Sequence, residues 1–243
     1  MDELVELLTS HRTIRRFTSA PVPDELVSKA VRAAQCAATS HAVQAYALIQ
    51  VTKPDERSRL AELCGGQAQV QEAGAFFVLC VDQRRHALVA ARNSLPLASN
   101  FESFLVGVID ASLFAQNLIL AFEAANLGTC CIGGLRSNLP AVDELLELPD
   151  GIFPIFGLCV GSPAEPSTVR PRLPLNAVLF RDRYADDEQL LAAIDTHDAE
   201  AEAWYAQRGA PGRNWSGSVS RSLSKAARQD LAAFYNSKGA ALH

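Results

Sequence analysis

The 243-residue chain is 49% hydrophobic and 20% charged, enough apolar mass for a substantial core in one large domain or two small ones. Its 27 acidic against 22 basic side chains give a net charge of −5, without the basic excess of a nucleic-acid binder. The start, MDELVELLTS, is acidic and amphipathic rather than a secretory signal, and apolar runs such as 76–81 and 155–160 are too short to span a bilayer. Leu4, Val5, Leu7 and Leu8 outline a first helix that ends near Ser10. Directly behind it, HRTIRRF at 11–17 gathers a histidine and three arginines. Arg12 shares a face with Arg15 and Arg16 if this turn is helical, and guanidinium forks suit a phosphate. The cluster reads either as a site for a small phosphorylated ligand or as a solvated helix end answering the helix dipole.

Pro21 and Pro23 break the chain, and Leu26, Val27, Ala30, Val31 and Ala34 stripe a second helix that ends in the polar turn Thr39-Ser40-His41. Residues 46–51 read as a strand, 55–63 as a helix closed by Gly65-Gly66, and 76–81 as a fully buried strand. The longest helical pattern runs from 101 to 125, capped by Asn100 and stopped by Gly128. It is apolar nearly all round and must be buried on most sides, a subunit interface being one place for it. A strand at 129–132 enters Gly133-Gly134, followed by a short helix at 141–146 and a strand at 155–160. The proline-rich segment 162–174 is extended and stiff. Helical patterns at 187–207 and 219–235 then flank a Gly/Pro/Arg loop at 208–213.

Chemistry is narrowed mainly by exclusion. No GxGxxG follows an early strand, and no GxxxxGK[ST], GxSxG or HExxH is present. Cys36, Cys64, Cys80, Cys130, Cys131 and Cys159 form no CxxC and no zinc spacing, so they read as buried free thiols in a reducing cytosol, without metal. What remains is the basic turn, the 39–44 loop, Gly65-Gly66-Gln67, Ile132-Gly133-Gly134 and the arm Arg170-Pro171-Arg172. Taken singly, each reads first as a helix stop, a turn or a solvated arm.

In this order they resemble the oxygen-insensitive NADPH nitroreductase and flavin reductase group of the nitroreductase superfamily. The resemblance rests on HRTIRRF, AAQCAATSHAVQAY, GGQAQV, DASLFAQNLILAFEAANLG, IGGLRSN, FGLCVGSPAE and RPRLP, and covers nearly the whole chain. It implies an α+β fold, a central mixed but mainly antiparallel sheet flanked by helices, in an intertwined homodimer. Residues 1–180 would form the FMN-binding core and 181–243 a helical excursion with the NADPH loop, within the same domain. FMN would be tight but non-covalent. By the same resemblance, His11, Arg12, Thr13 and Arg15, with Arg170 and Arg172, would hold the ribityl phosphate and chain. Thr39, Ser40, Gln44 and Gln67 would reach the ring or ribityl, and Ile132, Gly133 and Gly134 would pass beside the ring. His41 stands where the family often has a small polar residue, and Arg170 where it commonly has lysine. Arg208 and Arg213 would recognise the 2′-phosphate of NADPH. No protein group is then needed as a catalytic residue, because the flavin carries the electrons. The implied activity is two-electron, ping-pong reduction of nitroaromatic or quinone-type compounds by NADPH in the cytoplasm, with no nucleic-acid or membrane partner. The alternatives are an NADPH-dependent FMN reductase, a flavin-binding protein without turnover, and a non-flavin anion-binding module.

Overall fold

The computed structural model describes residues 1–242. In chain order the helices and strands are α1 (Asp2–Thr9), α2 (Asp24–Ala34), β1 (Tyr46–Gln50), α3 (Pro54–Leu63), α4 (Gln69–Glu72), β2 (Ala75–Asp82), α5 (Arg84–Arg92) and α6 (Phe101–Ala124). They continue with β3 (Gly128–Ile132), α7 (Leu139–Leu145), β4 (Ile152–Gly161), α8 (Asp187–Ala206), α9 (Trp215–Leu223) and α10 (Leu231–Ser237). The described chain divides into two compact units, residues 1–167 with 228–242, and residues 168–227. By contacts the division falls after Ser167, beside the expected 1–180 core and 181–243 excursion of one domain, and residues 228–242 group with the first unit; His243 lies outside the described residues.

The first unit is built on a four-stranded antiparallel sheet in the order β1-β2-β4-β3. Every residue of β2 is buried, because alternate side chains face two different cores. Phe77, Leu79 and Val81 meet α6 residues such as Phe114, Leu118 and Phe122, while Phe76, Val78 and Cys80 meet Leu60, Val70 and Val142 beneath α3 and α7. That two-sided burial is why the strand reads as an unbroken apolar run.

Asn100 caps α6 with a reciprocal capping box to Ser103. By length and composition α6 is apolar enough to cross a bilayer, but one face lies on the sheet. The expectation of burial on most sides fails within one chain: Phe101, Leu105, Ile109 and Leu113 form an exposed stripe at four-residue spacing. Gly128 does not stop this helix. The turn is made by Asn126 at φ +59, and Gly128 opens β3, where a Cβ would collide with the Ile14 side chain. Likewise α2 ends at Ala34, and Ser40–Ala42 is a separate single turn.

The second unit holds a short turn at Leu175–Ala177, then α8 and α9. The helix expected over 219–235 is two helices. Helix α9 ends at Leu223, and Arg228 takes φ +55 before α10 begins at Leu231 in the first unit.

Candidate functional site

The basic turn is not helical. Thr13 bridges Thr129 in parallel, Ile14 N donates to Thr129 O at 2.9 Å, and Phe17 bridges Pro163. Residues 13–17 are therefore stitched as an extended segment to β3 and to the chain beyond β4. Burying Ile14 and Phe17 leaves Arg12, Arg15 and Arg16 exposed, and none of the three meets a carboxylate among the described residues. Arg15 lies near enough to Cys130 to pull down a thiol that burial pushes up. Arg12 lines two hollows of about 370 and 420 Å³, together with Ile14 and Pro163. His11 is engaged differently: its Nδ1 donates to Glu123 Oε1 at 2.8 Å, and Thr129 Oγ1 donates to the same oxygen at 2.9 Å. Three unneutralised guanidinium forks in an acidic chain are a donor set suited to phosphate.

The 39–45 loop is held by its backbone. Asp110 on α6 is 1% exposed and accepts from Ser40 N and Ala45 N. His86 Nε2 donates to Val43 O at 2.7 Å, and Arg85 donates to the carbonyls of Gln44 and Tyr46 while paired to Asp82 at 2.5 Å. The side chains from His41 to Gln44 are exposed, and Ser40 Oγ lies 3.1 Å from His41 Nδ1. Beneath them Tyr46 stacks on Phe114 with its hydroxyl buried and unpaired. Burial raises that phenol's pKa, Arg85 lowers it and Asp110 raises it further.

Gln67 and Gly134 meet at a third point. Gln67 Nε2 donates to Cys64 O at 2.8 Å, and its Oε1 accepts from Gln69. A Cβ on Gly134 would collide with both Gln67 Nε2 and Cys64 O, so glycine here serves the packing of Gln67. Gly133 has room, with only Arg136 near a hypothetical Cβ at 3.6 Å, and the Ile132 side chain is fully buried. Arg57 fixes this corner by donating to Val70 O and Ala73 O.

The second unit gathers a different cluster. Arg170 and Arg208 lie over Trp204, with the guanidinium carbons 5.2 and 3.8 Å from the ring centre, and Arg213 lies 4.6 Å from the centre of Tyr205. Trp204 and Tyr205 themselves meet edge to face. The structure thus places Arg170 with Arg208 and Arg213, three cations on one aromatic pair. Arg172 is exposed in the same unit and meets no acid among the described residues.

Sequence reading missed four contributors. Asp110 had a signal, a lone carboxylate in an apolar helix, and Glu123 a weaker one. Arg85 offered only its local pairing with Asp82, and Arg136 offered nothing, since the carbonyls they reach are distant in sequence. Arg136 is half-buried, and desolvation, then Arg228 beside it, lower its pKa. All six cysteines are free, but Cys36 and Cys131 are exposed, not buried. No group of side chains among the described residues suits a metal ion.

With this geometry in hand, comparison with known proteins is specific. The Nitroreductase family model matches residues 8–162, and the model for the family's C-terminal domain matches residues 170–243. The FMN reductase (NADPH) of Bacillus subtilis is 37% identical over 245 residues, covering 98% of each chain. The oxygen-insensitive NADPH nitroreductase of Salmonella typhimurium is 38% identical over 242 residues, again covering 98% of each. The solved structure of NfrA1 from B. megaterium superposes with a TM-score of 0.95 at 37% identity, covering 98% of both chains.

Proposed function

We propose that this chain, which belongs to the nitroreductase family, is an FMN-dependent oxidoreductase that takes electrons from NADPH and delivers them in pairs to flavin, quinone or nitroaromatic acceptors. The observation that carries this reading is the trio of exposed, acid-free arginines on an extended segment stapled to β3. When bound, FMN supplies the two-electron redox chemistry. Arg12, Thr13 and Arg15 hold its phosphate and ribityl chain, with His11 oriented by Glu123. One guanidinium at ~4 Å from a phosphate charge gains about 4 kcal/mol at an effective dielectric near 20, before desolvation and ordering costs. Thr39, Ser40 and Gln44 from the clamped loop, Gln67, and the backbone of Ile132, Gly133 and Gly134 orient the ring and ribityl.

Arg208 and Arg213 receive the 2′-phosphate of NADPH. Arg170 shares their aromatic seat, so we assign it to the nucleotide instead of the flavin. The exposed α6 stripe, with Leu4, Val5 and Leu8 of α1, is the face on which a second copy packs to form a homodimer. Cys130 and Cys159 face each other in register as free thiols, which fits a reducing cytoplasm.

Two substitutions test the division of labour. Arg15→Ala is expected to weaken FMN binding about tenfold or more in a fluorescence titration, in line with loss of one charge-assisted contact. Arg208→Ala is expected to raise KM for NADPH by a similar factor with the flavin retained. Release of FMN by Arg208→Ala would overturn the assignment.

A further inference from the structure

Asp110 is the sole acidic residue of α6 between Glu102 and Glu123, buried to 1% exposure and without an ion pair among the described residues. A buried carboxylate is costly unless its oxygens are fully engaged. Here Oδ1 accepts from Ser40 N at 3.0 Å and Oδ2 from Ala45 N at 3.1 Å. Those two amides bracket a loop in which His41, Ala42 and Gln44 take φ of +46, +56 and +50. Three non-glycine residues in the left-handed region within four positions is an unfavourable backbone that persists only where its surroundings impose it. The opposite edge of the loop is gripped as well, through Val43 O by His86 and through Gln44 O and Tyr46 O by Arg85. Side-chain atoms outside the loop thus secure its backbone, while the side chains of His41, Val43 and Gln44 are exposed.

We propose that Asp110 is a positioning residue: its two oxygens hold the 40–45 loop in a strained conformation, so that Ser40, His41 and Gln44 are presented in place before a ligand arrives. The inference rests on the reading that this loop borders the flavin and its acceptor. Preorganisation removes the ordering cost from the binding step, which is what strain stored in a loop can contribute to a site. Asparagine is a poor substitute, because its side-chain oxygen can serve one amide while its NH₂ would face the other amide's N–H.

The test uses the full chain and three variants, Asp110→Asn, Ala42→Gly and the double variant. Amide hydrogen exchange and FMN titration are the readouts. Asp110→Asn is expected to speed exchange at Ser40 and Ala45 at least tenfold, leave the amides of β2 unchanged, and weaken FMN binding about tenfold. Ala42→Gly is expected to restore about fivefold of that affinity in the double variant, since glycine takes positive φ freely. Rescue by an exposed glycine is not expected if Asp110 serves only the core. Unchanged exchange at Ser40 and Ala45, unchanged FMN affinity, or no rescue would overturn the proposal. If Asp110→Asn does not fold, Ala42→Gly alone decides: the proposal predicts a higher Tm, and a lower one contradicts it. Failure of the unsubstituted protein to take up FMN would instead sink the flavin reading, while the exchange arm would still decide whether Asp110 holds the loop.

Discussion

The imidazole of His11 donates through Nδ1 to Glu123 at 2.8 Å, tying the basic turn to the end of α6 across 112 residues of sequence. Thr129 of β3 donates to the same carboxylate oxygen, so one acid joins three segments. Its side chain is about 10% exposed, which makes removal costly. Glu123→Ala is expected to destabilise the protein by about 1–3 kcal/mol in urea unfolding and to weaken FMN binding, because the buried Thr129 hydroxyl and the part-buried His11 ring lose their acceptor. Glu123→Gln keeps an acceptor oxygen and is expected to recover most of both losses. Equal losses in the two variants would show that charge, not geometry, is what Glu123 contributes.

The paired glycines at 133 and 134 are not equivalent. A Cβ on Gly134 collides with the carbonyl of Cys64 as well as with Gln67, and a backbone carbonyl cannot swing aside. Gly134→Ala is expected to lower stability by about 1–3 kcal/mol, the usual cost of overpacking. It should also displace Gln67 and weaken FMN. Gly133→Ala meets nothing closer than Arg136 at 3.6 Å and is expected to stay within about 0.5–1 kcal/mol of the parent, the size of an ordinary Gly/Ala exchange. Thermal unfolding of the two variants side by side checks the order.

Trp204 seats two of the three arginines assigned to the nucleotide. Trp204→Ala is expected to raise KM for NADPH roughly 2- to 30-fold, the range of about 0.5–2 kcal/mol for a cation–π contact. The flavin should remain bound and kcat should change less than KM. Trp204→Phe is expected to recover part of the loss. Increasing salt should raise KM for NADPH in the parent more than in a variant lacking Arg208.

Burial raises the thiol of Cys64 from 9.0 to about 11, and pushes those of Cys80, Cys130 and Cys159 up as well. A raised acid keeps its proton in the folded state where the unfolded chain loses it. The resulting stability is complete below about pH 9, the unfolded value, and is lost as pH rises toward the folded values. Under reducing conditions Tm should hold to about pH 9 and fall between pH 9 and 11. Replacing Cys80 and Cys159 by alanine should flatten that fall. A Tm independent of pH up to 11 would contradict this account.

Much of the first unit was readable because its signals are local. The apolar run of β2, the Asn100 cap of α6 and the close of α3 at Gly65 and Gly66, both with positive φ, depend only on neighbouring residues. Misreadings arose where the reason lies far away in sequence. Gly128 looks like a helix stop but is glycine because Ile14 packs against it. Residues 224–230 carry no glycine or proline, yet the helix breaks there, at the point where the chain leaves one compact unit for the other. The basic turn was visible as a cluster of cations, whereas the seat of Arg170 required knowing where Trp204 lies. Asp110 went unread, because its engagement depends on amides that only folding brings to it.

The central claim is tested most directly by the visible spectrum of the purified protein, reconstituted with FMN under argon, before and after one equivalent of NADPH and then an acceptor. The account predicts a flavin spectrum that NADPH bleaches faster than NADH does, and that a quinone, a nitroaromatic or free FMN restores. A protein that retains no FMN, or whose bound flavin NADPH leaves oxidised, would contradict it.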